Sequence, residues 1–337
     1  MKLLSIIVPT YNMEGYLAQC IDSILRTPSL AALEVVIVND GSRDRSLRIA
    51  RGYAERYADT VRIIDKENGN YGSTINAALQ TLQGEYVKIL DADDRFDGGK
   101  IAEFVASLKA LQGVDMVVTP FVEWNGKRYE ADKIFGDGAI RFFMMHSVCY
   151  RTELLREMHY HQSEGISYTD QEWVFYPLFR VKEIAFVDIP LYRYNAAREG
   201  QTMDRAVQLR SLTQLEAVTK NMAQYFVKNA PTLESEPRRS FLRNIVADRM
   251  RIIYRKYLLA MNNTQFSASH FAESDAALLL LAEQCGIERL AVPVNNLLKV
   301  DLLRHWRKHG RRYSTTFRWL LQFADSTMTT LHSAIFR

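Results

Sequence analysis

Over roughly its first 120 residues the chain alternates short apolar runs with amphipathic stretches. Ser5–Val8, Val35–Val38, Val61–Ile64, Tyr86–Leu90 and Met116–Val118 are apolar or β-branched, as parallel strands covered on both faces should be. Between them, Leu17, Cys20, Ile21 and Ile24 share one helical face. So do Ile75, Ala78, Leu79 and Leu82, and then Ile101, Phe104, Val105 and Leu108. Ser73 or Thr74 is placed to cap the second of these helices. The alternation predicts an α/β fold: a doubly wound, mostly parallel sheet flanked by helices, with right-handed crossovers.

From Phe121 to Asn195 the pattern is irregular and aromatic, apart from a last strand at Ile184–Ile189. Beyond about Asp204 helical periodicity takes over: Leu209, Leu212, Leu215 and Val218 make one face, and Ile245, Met250, Ile253, Tyr257 and Leu258 lie in another helical segment. Pro231 and Pro237 bracket a loop between helices. The expected division is an α/β domain over residues 1–205 and a helical C-terminal subdomain over residues 206–337.

Composition narrows the class without fixing it. A chain that is 47% hydrophobic and 24% charged, with a net charge of +4, reads as an ordinary globular protein and gives no argument for nucleic acid. Cys20, Cys149 and Cys285 are odd in number and widely spaced, which suits reduced core thiols of a cytoplasmic protein. No apolar run reaches the roughly 20 residues needed to span a bilayer.

The candidate chemistry sits where the strands end. In an open α/β sheet, ligands lie beyond the carboxyl ends of the strands. Polar clusters occur there four times: Thr10–Asn12, Asn39–Asp44, Asp65–Asn70 and Asp91–Asp94. The fourth is the most telling, because Y-V-K-I-L runs straight into D-A-D-D. Strand alternation would send Asp91 and Asp93 to one side and Asp94 to the other. Two oxygen donors converging at a strand end suit a hard divalent cation, Mg²⁺ or Mn²⁺, shared with a diphosphate. An acidic turn gives the same letters, so the weight rests on the surrounding motifs.

No G-x-G-x-x-G follows the first strand and no G-K-[ST] occurs, which disfavours dinucleotide and P-loop chemistry. Instead, I-I-V-P-T-Y-N at Ile6–Asn12, V-N-D-G-S at Val38–Ser42, N-Y-G at Asn70–Gly72, Asn76 and L-D-A-D-D at Leu90–Asp94 follow in order. T-D-Q-E-W at Thr169–Trp173 and Y-R-Y…R-E-G-Q-T at Tyr192–Thr202 complete the set. This ordered series resembles glycosyltransferase family 2, whose nucleotide-sugar-binding fold is called GT-A. The resemblance covers about the first 205 residues.

The resemblance implies an inverting transfer from a UDP-sugar to a saccharide or lipid-linked saccharide, in bacterial surface polysaccharide or glycoconjugate assembly. It implies donor contacts from Pro9, Tyr11, Asp40 and Asn70, with Asp40 accepting from the uracil N3–H. Asp91 would bond the ribose or share the metal, and Asp93 would coordinate the metal directly. Arg193 and Arg198 would close on the diphosphate, as guanidinium matches phosphate geometry. Asp170 matches the family's base, the alternative being that Thr169 or Asp170 only caps a helix. Glu172 is a reserve candidate, about 200° around the helix from Asp170. His146 is assigned to the acceptor side, to contact an acceptor hydroxyl or to complete the metal shell, with a buried histidine satisfied by backbone as the favoured assignment. Trp124 and Trp173 are of the kind that stacks on sugars, though large aromatics commonly fill cores.

Two positions depart from the family pattern, Asn39 and Thr169, and the Q-x-x-R-W motif of processive synthases is absent. Lys299, Arg304, Arg307, Lys308, Arg311, Arg312 and Arg318, interleaved with Leu302, Leu303, Trp306, Phe317, Trp319 and Leu320, suggest peripheral contact with the inner face of the plasma membrane. A helix packed on the protein with a solvated basic face is the competing reading. Oligomerisation is left open. The rival to the enzyme is a non-catalytic nucleotide-binding scaffold that retains the crevice and recruits partners through its helical region.

Overall fold

A computed structural model describes residues 2–130, 144–195, 211–260, 268–292, 301–309, 315–317, 319–321 and 323. The chain forms two compact units, Met1–Gln201 and Thr202–Arg337.

The first unit is built on a seven-stranded sheet. Its strands are β1 (Leu4–Thr10), β2 (Leu33–Asp40), β3 (Val61–Lys66), β4 (Tyr86–Ile89), β6 (Met116–Val118), β9 (Val148–Arg151) and β10 (Ile184–Phe186), in the order β10-β6-β9-β4-β1-β2-β3. All neighbouring strands are parallel except at β9, which runs antiparallel to both β4 and β6. The central register sets Ile6 beside Val35 and Ile7 beside Ile89. Both faces are covered, so every residue of β1 and β2 is buried, the result that continuous apolar runs predict. Leu4, Ile6, Val8, Val35 and Ile37 point to one face, against α1 (Leu17–Leu25), α2 (Ser46–Arg56) and α4 (Gly98–Ala110). Helix α3 (Asn70–Leu79) packs on β1 and β2. Pro9 is tolerated inside a central strand because β4 pairs only as far as Ile7, so no ladder bond is lost on that side.

A second, four-stranded sheet was not expected. It is made of β5 (Arg95–Phe96), β11 (Tyr192–Tyr194), β7 (Phe121–Glu123) and β8 (Arg128–Tyr129), in that order. These strands are two or three residues long and pair across up to about a hundred positions, so no local period announces them. Two shorter helices, α5 (Thr152–Glu157) and α6 (Asp170–Phe175), complete the described part of this unit. The cap expected at Ser73 or Thr74 is corrected: α3 starts at Asn70, and Ser73 Oγ instead donates back to the Asn70 carbonyl (2.7 Å).

The second unit is mainly helical in its described residues, with α7 (Leu212–Asn229), α8 (Glu236–Ala260), α9 (Ala268–Gln284) and α10 (Leu302–Lys308). Leu212, Leu215 and Val218 are buried as the periodicity predicts, with Ile245, Met250, Ile253, Tyr257 and Leu258; Leu209 lies outside the described residues. Pro231 sits in a 3₁₀ turn and Pro237 in the first turn of α8, where a missing N–H costs nothing. The basic amphipathic stretch is largely packed. Leu302, Leu303, Trp306 and Phe317 are buried, and Arg307 donates to the fully buried Asp275 (2.6 Å). Trp319 is exposed, while Lys299, Arg311, Arg312 and Arg318 lie outside the described residues. Among the described residues, no helix is long and apolar enough to cross a membrane.

Candidate active site

Because β1 to β4 are parallel, their carboxyl ends share one edge of the sheet, and the four polar loops meet there. The first two loops are tied together. Asn12 N–H donates to Ser42 Oγ (3.0 Å), Asn12 Oδ1 accepts from Arg43 N–H (2.8 Å), and Met13 N–H donates to Ser46 Oγ (2.7 Å). Asn12 itself has φ 52°, a left-handed conformation that Asn tolerates. Tyr11 stands exposed at this rim, and Pro9 is buried beneath it.

Asp40, at the end of β2, is buried and serves the neighbouring loop. Its Oδ1 accepts from Lys66 Nζ and from Gly69 N–H, each at 2.9 Å, and its carbonyl accepts from Asn68 Nδ2 (2.9 Å). Gly41 follows with φ 71° and its Cα lies against the Asn68 backbone, where a Cβ would come within 3.0 Å of Asn68 N. The side-chain bonds described at Asp40 fall on Oδ1.

The N-Y-G segment docks the loop that leads to Asp170. At Gly72 a Cβ would fall 2.0 Å from the Ser163 carbonyl oxygen, so only glycine lets that loop lie on α3. Asn76 holds the same loop from both ends of its amide: Nδ2 donates to the Gln162 carbonyl and Oδ1 accepts from Gln162 N–H (2.8 and 2.9 Å). Gly165 N–H donates to the Gly69 carbonyl (2.8 Å), and Asn70 opens α3 with φ 66°. Asp170 begins α6 at the end of this loop and is half-buried. Thr169 makes no side-chain cap to α6; its Oγ1 accepts from Gln162 Nε2 (3.0 Å). Glu172 is fully buried, accepting from Ser163 N–H and Ser163 Oγ at 2.7 Å each, so it braces the loop rather than facing an acceptor.

The acidic run departs from strand alternation, since β4 stops at Ile89 and Asp94 N–H closes a turn on the Asp91 carbonyl (2.9 Å). The turn brings Asp94 inward. Ligand atoms of Asp91, Asp94 and His146 all lie within 4.8 Å of one another. Asp94, expected to point away, is buried; it accepts from Tyr192 Oη (2.6 Å) and Asn195 N–H (2.7 Å). Asp91 Oδ1 accepts from Tyr71 Oη (2.9 Å), and Asp91 N–H donates to Tyr192 Oη (3.2 Å). Asp93 is half-buried beside them, its carbonyl accepting from Asn195 Nδ2 (3.4 Å).

Charge is crowded at this point. Burial, followed by the carboxylates of Asp94 and Asp93, pushes the Asp91 carboxyl well above the usual range, and Asp170 adds to it. Burial and then Asp91 and Asp170 likewise push the Tyr71 phenol up, which places Asp170 within electrostatic reach of both. His146 is buried among Phe121, Tyr192 and Tyr194, with ring centroids 4.6 Å from both Tyr192 and Tyr194. Burial, with a smaller effect of Lys88, lowers its pKa to about 3 and so keeps the imidazole neutral. Its Nδ1 is buried with no hydrogen-bond partner, contrary to the expectation of backbone satisfaction. A buried neutral imidazole with a ring nitrogen within 4.8 Å of two crowded carboxylates fits a divalent cation.

Alternation in β11 corrects one expectation. Tyr192 and Tyr194 face the cluster, so Arg193 points to the opposite side, where it donates to Asp97 (2.9 Å) rather than approaching the crevice. Arg198 and Gly200–Thr202 lie outside the described residues. Trp173 is core, and Trp124 is exposed on the far side with Arg193. Tyr71, Tyr192, Asn195 and Asp94 were not singled out as site residues from sequence. The Tyr-rich motifs beside Asn70 and Arg193 carried that signal.

A family model described as glycosyl transferase family 2 matches residues 5–173. An uncharacterized glycosyltransferase of Bacillus subtilis, EpsJ, is 45% identical over 92 residues, 27% of this chain and 26% of that protein. An uncharacterized glycosyltransferase of Rickettsia typhi is 27% identical over 260 residues, 72% of this chain and 78% of the relative. The chain thus spans about a quarter of the Bacillus relative and most of the Rickettsia one. Among solved structures, S. aureus TarS 1-349 in complex with UDP-GlcNAc matches with a TM-score of 0.66 at 20% identity, covering 98% of this chain and 92% of that one. That likeness is one of fold, the GT-A arrangement.

Proposed function

The chain belongs to glycosyltransferase family 2, and on that premise we propose that it is an inverting enzyme moving a sugar from a UDP-sugar to a saccharide or lipid-linked saccharide hydroxyl, in surface polysaccharide or glycoconjugate assembly. The observation that carries this reading is the placement of Asp170. It heads a helix whose preceding loop is clamped by Gly72, Asn76 and Glu172, and its charge is felt at Asp91 and Tyr71. In an inverting transfer the acceptor oxygen bonds to the anomeric carbon as the bond to the diphosphate breaks with its electron pair. A base on the acceptor side takes the hydroxyl proton, and Asp170 is assigned that proton.

Asp91, Asp94 and His146 are the residues that would hold Mg²⁺ or Mn²⁺, with Asp93 beside them. Such an ion supplies charge neutralisation of the departing diphosphate. Tyr71, Tyr192 and Asn195 orient the carboxylates. Tyr11, Asp40 and Asn70 are assigned to the uridine end, above the buried Pro9. Structures of TarS with UDP-GlcNAc and with UDP support a uridine carrier here. Residues 1–205 are assigned donor binding and catalysis, and residues 206–337 packing, oligomerisation or peripheral membrane contact.

A panel of UDP-sugars assayed with Mn²⁺ for donor hydrolysis and transfer tests the proposal. Asp170→Asn should abolish transfer while UDP binding by calorimetry is retained. Transfer at the parent rate by that variant refutes the base assignment. Binding of UDP without turnover of any donor points to a scaffold instead.

A further inference from the structure

The four-stranded sheet has two chemically different faces. Tyr192, Tyr194, Phe96 and Phe121 make the inner face, around His146 and Asp94. The outer face carries the side chains that alternate with these. Arg95 and Arg193 are directly opposite in the antiparallel β5–β11 pair, so both guanidinium groups emerge on the same side. Arg193 is also level with Val122 of β7, and Trp124 follows two residues later on that face.

Like charges directly opposite one another in a ladder are destabilising unless something offsets them. Arg193 is offset by Asp97, at 2.9 Å. Arg95 is held differently, with its Cζ 4.1 Å from the centre of the Trp124 ring, and Trp124 Nε1 donates to the Arg193 carbonyl (3.4 Å). A guanidinium stacked on an indole keeps its in-plane N–H donors available to an anion. These groups border a cavity of about 570 Å³ whose other walls include Gln19, Asp22 and Arg26. That volume lies in the range of small-ligand sites, about 300–1,000 Å³. Asp22 is engaged by Tyr53 Oη at 2.6 Å, and Arg26, 3.9 Å from Asp22, is largely exposed. Three arginines against two aspartates leave the lining with a positive surplus, and Trp124, 42% exposed, offers an apolar platform.

We propose that this outer-face cavity binds an anionic saccharide, a glycan bearing carboxylate or phosphate, with Arg95 and Arg193 on the anion and Trp124 against the sugar. The site lies on the side of the sheet opposite the carboxylate cluster. The choice of a saccharide rests on the glycosyltransferase reading; the anion rests on the arginines alone.

Quenching of tryptophan fluorescence on titration of the full chain tests it, with a short oligogalacturonate, a sugar phosphate, a neutral glucan oligomer and inorganic phosphate as probes. Saturable binding of oligogalacturonate or sugar phosphate, at least about tenfold tighter than of the neutral oligomer and weakened about tenfold or more by Arg95→Gln, is expected. The two charged probes tell carboxylate from phosphate preference. Trp124→Leu should abolish the quench, and calorimetry on that variant should show weakened binding. Donor hydrolysis should be unchanged in both variants, and its presence or absence judges the transferase reading separately. Equal affinity for neutral and anionic oligomers, or binding unaffected by Arg95→Gln, overturns the proposal. Inorganic phosphate binding as tightly as the sugar probes overturns its saccharide part.

Discussion

Lys88 lies in the centre of the main sheet, fully buried, and donates to the carbonyls of His146 (2.8 Å) and Val148 (3.1 Å). It therefore anchors the turn that carries His146, yet the ammonium has paid-in desolvation and no carboxylate among its described partners. Burial lowers its pKa from 10.5 to about 8. At about 1.4 kcal/mol per unit, the gap amounts to about 3 kcal/mol. The sign follows from proton counting. Between pH 8 and 10.5 the unfolded chain binds more protons at this residue than the folded one, so stability contributed here rises with pH across that window. Lys88→Met removes the titration and leaves two buried carbonyls without this donor, a loss of about 1–3 kcal/mol. Near pH 7 the two effects oppose each other and the variant should unfold at a similar urea concentration. By pH 10 the parent has recovered most of its penalty, so the variant should fall behind by an additional 2–3 kcal/mol or about that. Urea unfolding of both proteins at pH 7, 8.5 and 10, followed by circular dichroism, reads the difference directly. Cys149 is electrostatically coupled to Lys88, so both proteins carry Cys149→Ala, which keeps that thiol out of the difference. Stability profiles that remain parallel over that range would refute the argument.

Gly72→Ala should keep the fold but displace the Ser163 loop, because the added Cβ would meet the Ser163 carbonyl at 2.0 Å; donor turnover should fall at least about tenfold, and unchanged turnover removes the docking role. Asp94→Asn should weaken Mn²⁺ binding, read by calorimetry, by about tenfold or more. Parent-like affinity would return the metal to Asp91 and Asp93. In the helical unit, Arg307→Met removes the guanidinium bound to the fully buried Asp275 and should cost about 3–5 kcal/mol in urea unfolding, with much of it regained on adding Asp275→Asn.

The hydrophobic pattern determined the main sheet, its helices and the edge where polar loops gather, because burial on both faces demands continuous apolar runs and helix burial demands a period near 3.6. It also determined which residue types stand at that edge. Asp170 and Asp91 can be proposed from sequence because their motifs are local and ordered. The partners of those residues could not. Which way Asp94 points depends on a turn that begins where β4 stops pairing, and on Tyr192 and Asn195 about a hundred residues later. Gly72 and Asn76 acquire meaning only once the Ser163 loop lies on α3. Arg193 shares a motif with Tyr192 and Tyr194 but goes to the other face, since adjacent residues of a strand diverge and only the pairing of β11 says which face is which. Local sequence sets what a segment can bury; long-range pairing sets which groups end up within bonding distance, and that was decided by the tertiary structure alone.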